Sequence, residues 1–232
     1  MKAPRRQLVI AIDGPAGAGK STIASQLAGK LGYVNLESGA MYRALGLKAI
    51  ERGAAVDEEA AMKALAECSR IELLPTPDGN RVLLDGRDVS ARIRERDVAD
   101  AASRLSVHPA VRAWMVARQR EMGARGGVIM EGRDIGTVVF PQAEVKIFLD
   151  ADPNVRSGRR ILQHDAAADP QRAARLTAEL QERDRRDSTR AAAPLVAAPD
   201  AVHIDSTALT VEQVVAEAER IVRQKLAALG AK

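Results

Sequence analysis

The run Gly14-Pro15-Ala16-Gly17-Ala18-Gly19-Lys20-Ser21 fits the spacing G-x-x-x-x-G-K-[ST], and Thr22 adds a second hydroxyl. The pattern describes a backbone that turns successive N–H groups inward on a phosphate. Glycine is needed there because other residues resist the conformations involved. A helix opening at Lys20 would bring its positive dipole end to the same anion. In that geometry Lys20 reaches the β- and γ-phosphates of a nucleoside triphosphate, Ser21 Oγ is the expected Mg²⁺ ligand, and Thr22 adds a hydroxyl at the α-phosphate. ATP and Mg²⁺ are the expected cofactors. A plain strand-to-helix turn is the competing reading of the same glycines.

Binding a triphosphate does not separate a kinase from a switch or a motor, so other charged clusters must decide. Leu36-Glu-Ser-Gly-Ala-Met-Tyr-Arg43 places Arg43 on a helix that opens at a strand end. Glu131-Gly-Arg-Asp134 follows a short apolar run at 127–130. Ligands of open α/β sheets bind outside the carboxyl ends of the strands, where both clusters fall, so they face the cleft of the phosphate loop. Arg183, Asp187 and Arg190 are spaced four and three apart, which puts them on one helix face. A solvated charged face is the alternative for that helix.

The elements that must hold these residues are legible from pattern. Leu8–Ile12 is a short apolar run of the kind buried on both faces of a parallel sheet. Ile23, Leu27 and Leu31 form one stripe of a helix over 20–31 that Gly32 ends. Further helices are expected over 39–52 and 57–69. Ile71–Leu74 and Arg81–Leu84 flank a turn-rich Pro75–Asn80, which predicts a hairpin. The hairpin interrupts a βα order, so about 65–105 reads as an insertion within one domain. Helix resumes over 98–122 with a break near Pro109. Strands follow at 127–130, 145–149 and 202–204. Asp152-Pro153 reads as an N-cap with a first-turn proline, and Thr210–Gln213 as a capping box. The fold class is α/β, a parallel sheet with helices on both faces.

Composition excludes several classes. In 232 residues, 46% are hydrophobic, 28% charged and 2% aromatic, as in an ordinary globular domain with a sizeable core. The lone Cys68 cannot pair within the chain, residues 1–7 lead into an apolar run too short for a signal-peptide core, and no stretch is long enough to span a membrane. The expectation is a cytosolic protein with no membrane partner, and a monomer by default. The 35 basic residues are 27 Arg and 8 Lys, against 31 acids, for a net charge of +4. Arg grips phosphate oxygens with a planar fork and stays charged, so an active site crowded with phosphoryl groups favours it, although codon bias explains the same excess. With so few aromatics for stacking and acids interspersed among the bases, nucleic acid is not the expected partner. His108, His164 and His203 share no metal or triad spacing.

GPAGAGKST, SGAMYRA, EGRDIGTVVFP, KIFLDA and ERDRRDSTRAAAPL together resemble the bacterial cytidylate kinases, the long-form members of the nucleoside-monophosphate kinase group, from about Ile10 to Thr207. The resemblance implies a single phosphate-loop kinase domain over 1–232, a nucleotide-binding insert at about 65–105 and a lid at about 153–170. It implies CMP and dCMP as small-molecule substrates. Ser38, Arg112 and Asp134 would read the pyrimidine, Arg43, Arg133 and Arg190 would hold the acceptor phosphate, and Arg183 and Asp187 would bind phosphate and sugar, with Ser103 in the same lobe. Arg156, Arg159 and Arg160, spaced three and four apart, suit a lid that clamps the moving phosphoryl group. Lys20, Arg133, Arg156, Arg160 and Arg190 form the expected catalytic set. Glu37 and Glu131 stand where many relatives carry Asp, and no specific contact is assigned to either. A kinase for another monophosphate or small metabolite, and an ATP-dependent regulatory switch, are the alternatives. A hydroxyl acceptor would call for a carboxylate base, for which Asp13 or Asp134 is a candidate.

Overall fold

In the computed structural model, which describes residues 7–76 and 79–230, the first strand is β1, Val9–Asp13. Its side chains alternate between two cores. Ala11 faces one cluster while Ile10 and Ile12 face the other, as a strand covered on both sides requires. Helix α1, Lys20–Leu31, ends at Gly32 in the left-handed conformation, and β2, Val34–Glu37, leads directly into α2, Ser38–Arg52. Helix α3, Glu59–Glu67, precedes β3, Ile71–Thr76, β4, Gly79–Leu84, and β5, Arg87–Asp88. A 3₁₀ turn at Arg92–Arg94 opens onto α4, Arg96–Leu105, and α5, Pro109–Gly123. Strand β6, Val128–Gly132, a π-helical turn at Ile135–Val139 and β7, Val145–Asp150, follow. Helices α6, Pro153–Gln163, and α7, Pro170–Thr189, then β8, Val202–Asp205, and α8, Val211–Gly230, complete the chain.

The main sheet is parallel throughout in the order β2-β6-β1-β7-β8. Leu27 of α1 and Val214, Ala218 and Val222 of α8 cover one face, and Met41 and Leu45 of α2 with Val98, Leu105 and Met115 of α4 and α5 cover the other. This is the expected α/β class. Strands β3, β4 and β5 form a separate antiparallel sheet. The expected turn over Pro75–Asn80 is narrower than the sequence suggests, because Pro75 pairs with Asn80 and Thr76 with Gly79. The edge position of β3 accommodates a proline that cannot donate to the ladder. Residues 77 and 78 of that turn, and residues 1–6 of the N-terminal segment, lie outside the described residues.

Local chemistry sets the element ends. Asp152 accepts from Asn154 N–H at the start of α6, and Thr210 and Gln213 exchange side-chain bonds with each other's backbone N–H at the start of α8. Pro109 occupies the first turn of α5, where its missing donor costs nothing. Among the described residues no helix is long and apolar enough to cross a membrane.

Candidate active site

All the charged clusters open onto one cleft at the carboxyl ends of β1, β2 and β6. Its floor is the loop between β1 and α1. Gly14, Gly17 and Gly19 have φ of 151°, 78° and 95°. A Cβ at Gly14 would lie 1.9 Å from the Leu149 carbonyl oxygen, so only glycine lets the loop pass β7. Gly19 starts α1 with no side-chain cap, which leaves the helix dipole facing the loop. Lys20 is buried and donates to the Pro15 carbonyl at 2.7 Å. Burial first, and then the Arg133 guanidinium beside it, push the Lys20 ammonium down to about 7. Ser21 Oγ donates to Glu131 Oε1 at 2.6 Å. Burial, reinforced by the nearby Glu37 carboxylate, raises the Glu131 pKa.

Ser21 and Glu131 are the residues suited to Mg²⁺. A hard cation takes oxygen ligands, and Mg²⁺ keeps several waters, so one hydroxyl and one carboxylate beside a triphosphate fit it better than a full protein cage would. Among the described residues no cluster of three His, Cys, Asp or Glu could form such a cage.

A second group of charged cleft residues is arranged around Asp134, just beyond β6. It is buried and paired with Arg112 of α5, whose Nη1 also donates to the Ser106 carbonyl at 3.1 Å. Arg190 Nη2 stands 4.0 Å from Asp134 Oδ1, and its Nη1 3.6 Å from Asp187 Oδ1. Arg133 Nε donates to Asp187 Oδ2 at 2.8 Å. Burial alone would raise the Asp187 carboxyl, but Arg133, Arg183 and Arg190 together hold it below the usual range. Ser38 Oγ donates to the Glu131 carbonyl at 2.7 Å. Desolvation first, and then the Arg133 guanidinium, lower the half-buried Arg183 guanidinium to about 10. Arg43 pairs with Glu37 and outweighs the burial that would raise that carboxyl, so its pKa is lowered.

Several of these donors lack a hydrogen-bond partner. Arg43 Nε, Ser103 Oγ, Arg112 Nε, Arg183 Nε and Arg190 Nη2 are buried without one. Buried polar atoms are nearly always satisfied, so a group of orphans around one cleft marks where ligand oxygens belong.

The structure brings Ala16, Gly17, Ala18, Gly19, Lys20, Ser21 and Thr22 to the cleft together with Ser38, Arg43, Ser103, Arg112, Arg133, Asp134, Arg160, Arg183, Asp187 and Arg190. Gly14 and Pro15 shape the loop from behind. Arg156 does not join Arg159 and Arg160 on a common clamp. Its Nε donates to the Ala151 carbonyl at 3.0 Å, its Nη1 to the Ala16 carbonyl at 3.1 Å, and it pairs with Asp184, because α6 starts directly beneath the loop. Arg159 is held by Ser206, at 3.1 Å to its hydroxyl and 2.7 Å to its carbonyl. Arg160, within 3.4 Å of Gln163 Oε1, lines the cleft as Arg159 does, and neither has a carboxylate partner among the described residues. Asp13 does not line the cleft. Its two oxygens accept from Ile135 and Gly136 N–H at 2.8 and 2.7 Å, and burial raises it to about 6.

Tyr42 and Glu131 are among the cleft residues that sequence reasoning left without a role. Tyr42 is partly buried, with the Arg112 guanidinium 5.6 Å above its ring, and desolvation pushes its hydroxyl up to about 12. Glu131 had a visible signal, since a carboxylate at a strand end across from a phosphate loop is positioned to meet Ser21.

The comparisons with known proteins decide the family. Residues 10–224 match the family model described as Cytidylate kinase. The chain belongs to the cytidylate kinase family. Relatives named cytidylate kinase include one from Solibacter usitatus (strain Ellin6076), 50% identical over 96% of this chain and 95% of the relative. One from Geobacillus thermodenitrificans (strain NG80-2) is 48% identical over 95% of this chain and 99% of its own length. One from Pasteurella multocida (strain Pm70) is 43% identical over 95% and 97%. In this member of the cytidylate kinase family the phosphate loop and the Asp134 cluster line one cleft.

Proposed function

We propose that the chain transfers the γ-phosphoryl group of ATP to CMP and dCMP, forming CDP or dCDP and ADP. The observation that carries this reading is the buried Asp134 carboxylate, paired with Arg112 and flanked by Arg190, in the same cleft as Lys20. A carboxylate accepts from the cytosine N4 amine. Uracil presents a carbonyl at that position, and two facing acceptors in a buried site leave both unpaired, a penalty of about 1–3 kcal/mol.

The chemistry needs no general base. The nucleophile is a phosphate oxygen whose second pKa is near 6, so it is ionised at neutral pH. What the reaction lacks is cancellation of charge between two anions held in line. Lys20 binds the donor phosphates, and Arg43, Arg133 and Arg190 hold the acceptor phosphate, with Arg183 and Asp187 at phosphate and sugar. Ser21 and Glu131 would hold Mg²⁺, which when bound would supply charge neutralisation at the triphosphate. Arg160 lies in the cleft without a carboxylate partner among the described residues, and serves as the clamp that excludes water when residues 153–170 close as a lid. Residues 65–105 act as the acceptor-binding insert. The protein works in the cytoplasm on small molecules, as a monomer.

The test is ADP release from Mg²⁺-ATP in a coupled assay with CMP, dCMP, UMP, AMP or GMP, beside a control with no acceptor. Strong turnover with CMP and dCMP and weak turnover with UMP is the expected result. Hydrolysis independent of acceptor, or preference for a purine, overturns the acceptor assignment and leaves the phosphate loop standing.

A further inference from the structure

Helix α7 faces two ways. Arg183 and Asp187 line the cleft, and Asp184, the residue after Arg183, turns toward the phosphate loop. Asp184 Oδ1 accepts from the Ala16 N–H at 3.3 Å, and its Oδ2 pairs with Arg156 Nη1. That same Nη1 donates to the Ala16 carbonyl at 3.1 Å. One ion pair thus holds both polar groups of a single loop residue. Arg156 is fixed in turn by the Ala151 carbonyl at the end of β7, and it sits so close that a Cβ on Gly17 would lie 3.2 Å from its own Cβ. A carboxylate aimed at a polyanion loop repels the ligand by itself. Here the arginine compensates its charge, which leaves geometry as the contribution of the pair.

We propose that Asp184 is a positioning residue that makes affinity for the donor nucleotide depend on occupation of the acceptor site. The inference rests on the CMP kinase reading above. Arg183 Nε is buried without a partner, so an acceptor that satisfies it also fixes the turn of α7 that carries Asp184. Asp184 with Arg156 then holds the peptide groups on both sides of Ala16 in the shape the triphosphate needs. The reverse path is equally strong, because coupling between two binding sites is reciprocal.

The experiment titrates the imido analogue of ATP with Mg²⁺ into the full chain, with and without saturating CMP. In the unaltered protein CMP should tighten the analogue at least fivefold, within the usual range for coupled sites, roughly 5- to 150-fold. In Asp184→Ala that factor should fall below about twofold, while CMP affinity measured alone stays within about twofold of the unaltered protein. Asp184→Asn, which keeps an oxygen for the Ala16 N–H but loses the ion pair, should fall between. Thermal unfolding of each variant accompanies the titration. If Asp184→Ala does not fold, Asp184→Asn and Arg156→Lys decide by the same criterion. A coupling factor that survives in the variants, or no coupling in the unaltered protein, overturns the proposal. So does equal weakening of both ligands with a lowered Tm, the signature of a merely structural contact. If the unaltered protein does not bind CMP, the acceptor reading falls separately. Asp184 is then judged by analogue affinity alone, which must weaken severalfold in Asp184→Ala.

Discussion

A lysine meant to meet a triphosphate is held here among guanidiniums and under cover, and both features oppose its charge. With its pKa pushed down to about 7 by burial and the Arg133 guanidinium, Lys20 is expected to lose part of its charge near neutral pH before the nucleotide arrives. A bound triphosphate restores the preference for the ammonium, so binding takes up a proton wherever the free site has lost one. The sign follows from the direction of the shift. At pH 6 Lys20 is already charged and uptake is small, whereas at pH 8 it approaches about one proton per site. Calorimetric titration of the imido analogue of ATP in two buffers of different ionisation enthalpy measures this directly. No uptake at pH 8 would contradict the shift. The loop that carries Lys20 was legible because its glycines answer to backbone geometry, which is local. Arg156 was not. Spacing of three and four places 156, 159 and 160 on one side of a helix, but it is silent on what lies opposite, and the backbone of Ala16 captured the first of them.

Elements show the same division between local and distant causes. The ends of α1, α5, α6 and α8 follow from Gly32, Pro109, Asp152 and the Thr210–Gln213 box, each acting within a few residues. The π-helical turn at Ile135–Val139 has no such marker, because what holds its start is Asp13, distant in sequence. Two-residue β5 likewise depends on its pairing with β4. Gly46 lies inside α2, where glycine costs about 1 kcal/mol against alanine. The structure supplies the reason. A Cβ there would lie 3.0 Å from Ala102 N and 3.3 Å from the Val98 carbonyl, so α2 and α4 cross with their backbones nearly touching. Gly46→Val should force the helices apart and lower stability by about 2 kcal/mol, a fall in Tm of roughly 4–8 °C. Because α4 carries Ser103 next to the contact, KM for CMP should rise more than KM for ATP. Thermal unfolding and initial rates check both parts, and an unchanged KM for CMP would separate the crossing from the site.

At the scale of the whole molecule, the question is how a small antiparallel sheet is attached to a parallel one so that both reach one cleft. Strand β2 is the edge of the main sheet, and edges carry unpaired backbone groups. Asn80 of β4 supplies partners for two of them: its Oδ1 accepts from Glu37 N–H at 2.9 Å and its Nδ2 donates to the Asn35 carbonyl at 2.7 Å. One buried amide side chain therefore docks the small sheet at the residue before Ser38, where β2 turns into α2 and the acceptor half begins. An asparagine in a turn-rich segment reads in sequence as a turn residue, and its long-range partners become visible only when the sheets are placed. Asn80→Ala leaves a donor and an acceptor on β2 without partners, and should lower stability by about 2 to 3 kcal/mol. Since Glu37 pairs with Arg43, the loosened edge should also raise KM for CMP severalfold, while KM for ATP, set by the loop between β1 and α1, stays within about twofold. Urea unfolding and initial rates with each substrate varied in turn measure the two effects. A stability loss with both KM values unchanged would mean that the small sheet braces the edge of β2 without setting the acceptor site.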